Sequence, residues 1–131
     1  MEEAAEGLAT LFAPQVVLTS PLVRAAQTAE ILLSAYGLSH ARMCDALATG
    51  DNEQLQAELD HVEADSVMLV GHEPYMSATL SWLLVGNHGE MRAVFKKGAA
   101  ALVSFDGRSA RGAGTLEWLI QPAGLRAMSG Q

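Results

Sequence analysis

Two short stretches hold the residues best suited to chemistry: Thr19-Ser20-Pro21-Leu22-Val23-Arg24-Ala25-Ala26-Gln27-Thr28-Ala29-Glu30 and Ser66-Val67-Met68-Leu69-Val70-Gly71-His72-Glu73-Pro74. In the first, an apolar strand, Gln15 to Leu18, runs into a helix over 21–36. Ser20 is suited to cap that helix through its side-chain oxygen, and Pro21 suits the first helical position, where no amide hydrogen is needed. Arg24 then falls in the first turn. A cation at the positive end of a helix dipole is unfavourable by about 0.3 to 1 kcal/mol, so Arg24 asks for a compensating anion, and a phosphate fits. The plain alternative is a surface arginine paired with a carboxylate such as Glu30.

In the second stretch, four consecutive apolar residues flanked by turn formers read as a strand buried on both faces of a parallel sheet. His72 sits just past its carboxyl end. Open parallel sheets bind ligands at the carboxyl ends of their strands, and Arg24 follows its own strand in the same sense, so both side chains are expected at one crevice. A lone histidine in a turn is more often structural than catalytic. Two polar residues delivered by the same strand-to-helix geometry carry more weight.

The elements that must position them alternate short apolar strands with amphipathic helices, the pattern of an α/β layered domain. Glu2 to Phe12 reads as a helix with Ala4, Leu8, Leu11 and Phe12 on one face. In the helix over 21–36, Leu22, Ala25, Ala29, Leu32, Leu33 and Tyr36 recur at helical spacing before Gly37 ends it. Ala41 to Cys44 is a further strand, and Asn52 to Val62 an acidic helix with Leu55 and Leu59 inward and its carboxylates on a solvated face. The segment 75–85 is helical with Met76, Leu80, Leu83 and Leu84 inward, Trp82 partly exposed, and Gly86 as its stop. Ala100 to Phe105 and Thr115 to Ile120 are two more strands, and the glycine- and arginine-containing connection between them suits an antiparallel hairpin. Pro122 to Met128 is a short closing helix, after which Ser129, Gly130 and Gln131 should fray.

A chain of 131 residues suits a single domain, and with half its residues hydrophobic it is not expected to be disordered. No apolar run approaches the roughly 20 residues of a membrane span, and the Met-Glu-Glu start lacks a signal-peptide pattern, so a cytoplasmic protein with no membrane partner is expected. Cys44 is the only cysteine, which rules out an internal disulfide and a cysteine-based zinc site and suits a small core residue. The net charge of -7, from 8 basic and 15 acidic residues, repels a nucleic-acid backbone, so no nucleic-acid partner is expected. An anionic group must be attracted locally, by Arg24 and by Lys96 or Lys97, although the two lysines read equally well as a solvated turn. No metal-binding or P-loop pattern is present, so neither metal nor cofactor is expected.

Thr19 to Glu30 and Val70 to Pro74, in this order, resemble the histidine phosphatase superfamily, and more closely its small SixA-type phosphohistidine phosphatases. The resemblance extends to Lys96-Lys97-Gly98-Ala99 before a late strand and to Gly114 to Leu119 with its downstream proline. It implies a three-layer α/β sandwich with a mostly parallel sheet, of the phosphoglycerate mutase-like kind. It also implies a nucleophilic histidine that takes a phosphoryl group and yields it to water, with arginines and a second histidine stabilising the phosphoryl oxygens. Arg24 matches the arginine of the second family motif and His72 the second histidine, which makes both catalytic and phosphate-binding candidates. The backbone amide of Glu73, near the start of the next helix, is an added phosphate donor. The implied partner is a phosphohistidine-bearing signalling protein, or a small phosphoester.

One departure stands against this agreement. Members of the superfamily begin with a strand ending in an Arg-His-Gly triplet whose histidine is the nucleophile, and this sequence holds no such triplet. Met1 then falls inside the following helix, and about 25 to 30 family residues are expected to be missing at the amino end. Asn87-His88-Gly89 echoes the triplet but lies in a polar connection after a helix, and His40 and His61 are expected to face solvent. The lost strand belongs to the sheet interior, so its absence is expected to bare the edges of two neighbouring strands, each unpaired buried group costing about 1 to 3 kcal/mol. An N-terminally truncated domain, a partner or strand-swapped oligomer that fills the gap, and a rearranged sheet all follow as readings. The functional expectation is a SixA-like phosphohistidine phosphatase whose competence is in question without that nucleophile. The alternative is a noncatalytic phosphate-binding or interaction module.

Overall fold

A computed structural model describes residues 2–129, and the expectation of fraying at Gly130 and Gln131 lies outside them. The element order is α1 (Glu2–Ala9), β1 (Val16–Thr19), α2 (Val23–Tyr36), β2 (Arg42–Met43), α3 (Ala46–Thr49), α4 (Asn52–Asp60), β3 (Val67–Val70), α5 (Tyr75–Val85), β4 (Ala100–Ser104), β5 (Thr115–Ile120) and α6 (Pro122–Met128). This is an α/β fold of the phosphoglycerate mutase-like kind, with a parallel sheet between helical layers. Among the described residues no helix is long and apolar enough to cross a membrane.

Strand alternation builds the layers. Successive residues of a strand point to opposite faces, and in β1 Val17 joins one core while Val16 and Leu18 join another. In β3, Met68 and Val70 face the first core, and Val67 and Leu69 the second. The first core is closed by Ala4, Ala5 and Leu8 of α1, by Ala29, Leu32 and Leu33 of α2, and by Leu125 of α6. The second is closed by Ala46 and Leu47 of α3, Leu55 of α4 and Met76 of α5.

Local chemistry explains most boundaries. Glu2 and Glu3 lie in the first turn of α1, where negative charge suits the dipole. Gly37 ends α2 in the left-handed conformation at φ 69°, and the Leu38 amide donates back to the Leu33 carbonyl at 2.9 Å. The Asp51 carboxylate caps α4 by accepting from the Gln54 amide at 3.0 Å. Several expected boundaries move. Helix α1 stops at Ala9 rather than Phe12, β1 is displaced by one residue to Val16–Thr19, and β4 ends at Ser104. Helix α4 ends at Asp60, and α3 is an additional turn of helix between β2 and α4.

The sheet is interrupted. Strands run β2-β1-β3 in a parallel three-stranded sheet, while β4 and β5 form a separate antiparallel pair with a bulge between Leu102 and Val103. Among the described residues β3 and β4 therefore each pair along one edge only. The hairpin is nonetheless fixed to both helical layers. Ala100, Trp118 and Ile120 pack on the first core, and on the other face the amides of Gly112 and Gly114 donate to the carbonyls of Trp82 and Leu83 in α5, at 3.0 and 2.9 Å.

Candidate functional site

Strands β1 and β3 pair in parallel with Thr19 opposite Val70, so the two motif-bearing strands end level with one another. The Ser20 amide extends the ladder by donating to the Val70 carbonyl at 2.9 Å. From this shared edge the chain reaches Arg24, the second residue of α2, five residues beyond Thr19, and His72 two residues beyond Val70. The structure thus brings the two sequence-predicted residues to the carboxyl end of neighbouring strands, although no hydrogen bond joins them.

The turn that delivers Arg24 differs from expectation. Helix α2 begins at Val23 with Leu22 at its cap position and no side-chain cap, rather than with Ser20 as cap and Pro21 as first residue. The Ser20 hydroxyl instead accepts from the Leu22 amide at 3.2 Å, closing a tight serine turn ahead of the helix. Ser20 is fully buried, which pins that turn to the core and leaves Leu22, expected in the apolar stripe, 49% exposed. Arg24 keeps its place in the first turn and is exposed. Among the described residues it has no hydrogen-bond partner, and the Glu30 pairing does not form. A dipole-opposed guanidinium with no carboxylate at hand is available to an external anion.

His72 is half-buried, and its ring meets that of Tyr75 edge to face, with centroids 5.7 Å apart at 67°. Tyr75 in turn rests on Gly50 at the end of α3, where an added Cβ would stand 2.4 Å from the Tyr75 ring. Glu73 is exposed and turned toward its own helix, its carboxylate accepting from the amide of Ser77 at 3.1 Å and from the Ser77 hydroxyl. Its side chain thereby caps α5. Ser20, which turns the chain ahead of Arg24, and Tyr75 and Gly50, which stand in line behind His72, are contacts that the sequence reading did not assign to the site. The Gly50 contact spans a separation along the chain at which no periodicity reports.

The remaining histidines stand apart. His61 caps α4 with Nδ1 2.7 Å from the Ala57 carbonyl, His40 pairs with the Ser39 hydroxyl at 3.1 Å, and His88 is exposed in the connection after α5. Lys96 and Lys97 are exposed in the turn before β4, where the Lys96 amide donates to Gln121 Oε1 at 3.2 Å. A depression of about 350 Å³ lies elsewhere, along β2 and α4, lined by Arg42, Met43, Glu58 and His61 among others. Behind it the buried Cys44 thiol donates to the Glu58 carboxylate at 2.6 Å. Burial, then that carboxylate, pushes the thiol up to about 11. Among the described residues no three histidine, cysteine or acidic side chains converge as a metal site would require.

An exposed guanidinium and a half-buried imidazole beside a strand edge can hold a tetrahedral oxyanion presented from outside, the guanidinium by paired donors and the imidazole by one more. No protein-family model and no curated protein matches the sequence. Solved structures do. The chain is similar to the protein histidine phosphatase SixA complexed with tungstate, at 26% identity and a TM-score of 0.73, over 95% of this chain and 80% of that one. It is similar to the protein assigned as phosphohistidine phosphatase SixA from Agrobacterium tumefaciens, at 26% identity and a TM-score of 0.68, over 92% of this chain and 81% of that one. The counterpart from Nakamurella multipartitia aligns at 27% identity and a TM-score of 0.63, with coverages of 92% and 81%.

Proposed function

We propose, from the chain's relationship to the SixA-type histidine phosphatases, that it engages the phosphoryl group of a phosphohistidine borne by another protein, with Arg24 and His72 as the groups that hold it. The observation that carries this reading is the level ending of β1 and β3, Thr19 opposite Val70, which sends both motifs to one edge. Arg24 supplies a planar fork that matches two phosphoryl oxygens, and its positive charge offsets the build-up of charge on them during transfer. His72 donates from its ring to a third oxygen or passes a proton to the leaving group. The backbone amide of Glu73 adds a donor from the start of α5. The openness of this edge suits a phosphorylated side chain standing on a folded surface.

The missing Arg-His-Gly triplet favours a second reading, in which the chain holds the phosphoryl group without forming a phosphoenzyme. One measurement tests the site the two readings share, and a second separates them. Millimolar tungstate raises the melting temperature by several degrees, the scale of ligand held well above its dissociation constant. Arg24→Ala and His72→Ala each abolish that shift, and a shift that survives in both variants ends the site assignment. Incubation with a radiolabelled phosphohistidine protein then decides on turnover: an acid-labile labelled adduct and released phosphate support the phosphatase, whereas retention of the substrate's label with unchanged tungstate binding supports the holding module.

A further inference from the structure

Helices α4 and α5 fix which end of the β4–β5 hairpin lies toward the site. Both start at the site's end of the molecule, where Tyr75, whose ring meets that of His72, rests on Gly50 just ahead of α4. Both finish on the connection between β4 and β5. Gln56 of α4 donates to the Ser109 carbonyl at 3.0 Å, Arg108 donates to the Asp60 carbonyl at 3.1 Å, and the carbonyls of Trp82 and Leu83 accept from the amides of Gly112 and Gly114. The hairpin strands, of five and six residues, span about 17 to 20 Å, close to the length of about 16 Å for the 11 residues of α5. With its connection at the far end, the hairpin has its open end, Ala100 opposite Ile120, at the end of the molecule that carries Arg24 and His72.

That open end is held in shape. The Gln121 side chain, just past β5, donates to the Val94 carbonyl at 2.6 Å and accepts from the Lys96 amide at 3.2 Å, and the Ala99 amide closes a turn on the Lys96 carbonyl at 2.8 Å with Gly98 at φ +87°. Val94, Lys96 and Lys97 are thereby presented as one arm. The other arm is the end of β1 and β2, where Met43 lies opposite Thr19 and Val23 stands next to Arg24. Among the described residues the large apolar side chains more than 60% exposed are Val23, Val94 and Met43, at 70%, 68% and 62%, and all three fall on these two arms. Apolar side chains exposed beside a ligand site mark a surface that meets another protein. Lys96 and Lys97 are exposed, and among the described residues no carboxylate pairs with them or with Arg24. Two acids of this end are already engaged, Glu73 by Ser77 and Asp51 by the Gln54 amide, which leaves Asp45 and Glu53 on the α3 side. We infer, resting on the phosphoryl site proposed above, that this end docks a protein whose phosphohistidine is bordered by apolar side chains, which meet Val23, Met43 and Val94, and by carboxylates, which meet Lys96 and Lys97. An interface of about 800 Å² on each partner reaches across both arms, whereas a lone oxyanion held by Arg24 and His72 needs neither. The net charge of -7 repels an acidic partner elsewhere, so the two lysines direct its approach to this end.

The test compares two peptides of about eleven residues, long enough to cross this end, each with one non-hydrolysable phosphohistidine analogue at its centre. One is flanked by leucine and glutamate, the other by serine and glutamine. At low salt the first binds about tenfold more tightly. Lys96→Gln with Lys97→Gln, and separately Val23→Ser with Met43→Ser, each remove much of that preference, while tungstate raises the melting temperature of both double variants as it does that of the parent chain. Equal affinity for the two peptides, or a preference that either double variant leaves intact, overturns the inference and leaves the tungstate site standing. If neither tungstate nor either peptide binds, the phosphoryl site itself falls and the docking surface with it. A doubled mass in light scattering that Val23→Ser with Met43→Ser abolishes would put a second copy on this end and likewise overturn the inference.

Discussion

The amide of Ser20 bonds the carbonyl of Val70 at 2.9 Å, and the Ser20 hydroxyl, 3.2 Å from the Leu22 amide, turns the chain toward Arg24. One buried residue therefore couples β3, the strand that leads to His72, to α2, the helix that carries Arg24 in its first turn. Removing the hydroxyl in Ser20→Ala leaves the ladder bond intact and orphans the Leu22 amide, a loss of about 1 kcal/mol. A fall in the urea midpoint of that size, with several-fold weaker tungstate binding, is expected. An unchanged midpoint would remove Ser20 from its positioning role.

Gly50 sits at φ +76° with an added Cβ 2.4 Å from the Tyr75 ring, which itself stands against His72. Gly50→Ala must displace that ring and is expected to cost about 1 to 3 kcal/mol and to weaken tungstate binding. Gly37 has a similar φ of +69° with nothing within 4 Å. Gly37→Ala is the control: some stability is lost on denaturant titration and tungstate affinity is unchanged.

Burial, and after it the Glu58 carboxylate, raises the Cys44 thiol from 9.0 to about 11. The folded state holds this proton more tightly than the unfolded one, so the associated stability is complete below pH 9.0 and is lost as pH rises to about 11. Tyr36, raised by burial to about 12, adds a loss in the same direction at higher pH. The fall in urea midpoint across the Cys44 window should therefore be smaller in Cys44→Ala than in the parent chain. Equal slopes would show that the thiol does not titrate as its burial requires.

Helix α1 meets α6 at closest approach through Gly7, where an added Cβ would stand 1.7 Å from the Leu125 carbonyl oxygen. Backbone cannot yield as a flexible side chain does. Gly7→Ala is expected to lower stability by about 1 to 3 kcal/mol despite alanine's better helix propensity, measured as a drop in melting temperature.

Where apolar periodicity was long or turn formers were strong, the sequence was sufficient: β3, α5, β5 and α6 fall on the expected residues. Helix α3 escaped because four residues are too few to display a period. Leu22 was read into a helical stripe, but the buried Ser20 turn starts the helix later and turns that side chain outward. Trp82 was expected to be partly exposed and is only 6% exposed, because Arg111, from the hairpin connection, lies 5.6 Å over its ring and bonds the Gly86 carbonyl at 2.6 Å. Such cover comes from a segment remote in sequence. For the site, strand ends marked Arg24 and His72, but that β1 and β3 are neighbours in register is a property of topology.

The contact between Gly7 of α1 and Leu125 of α6 also joins the first and last described helices to one another over a single core, so the described chain closes into a ring of packing.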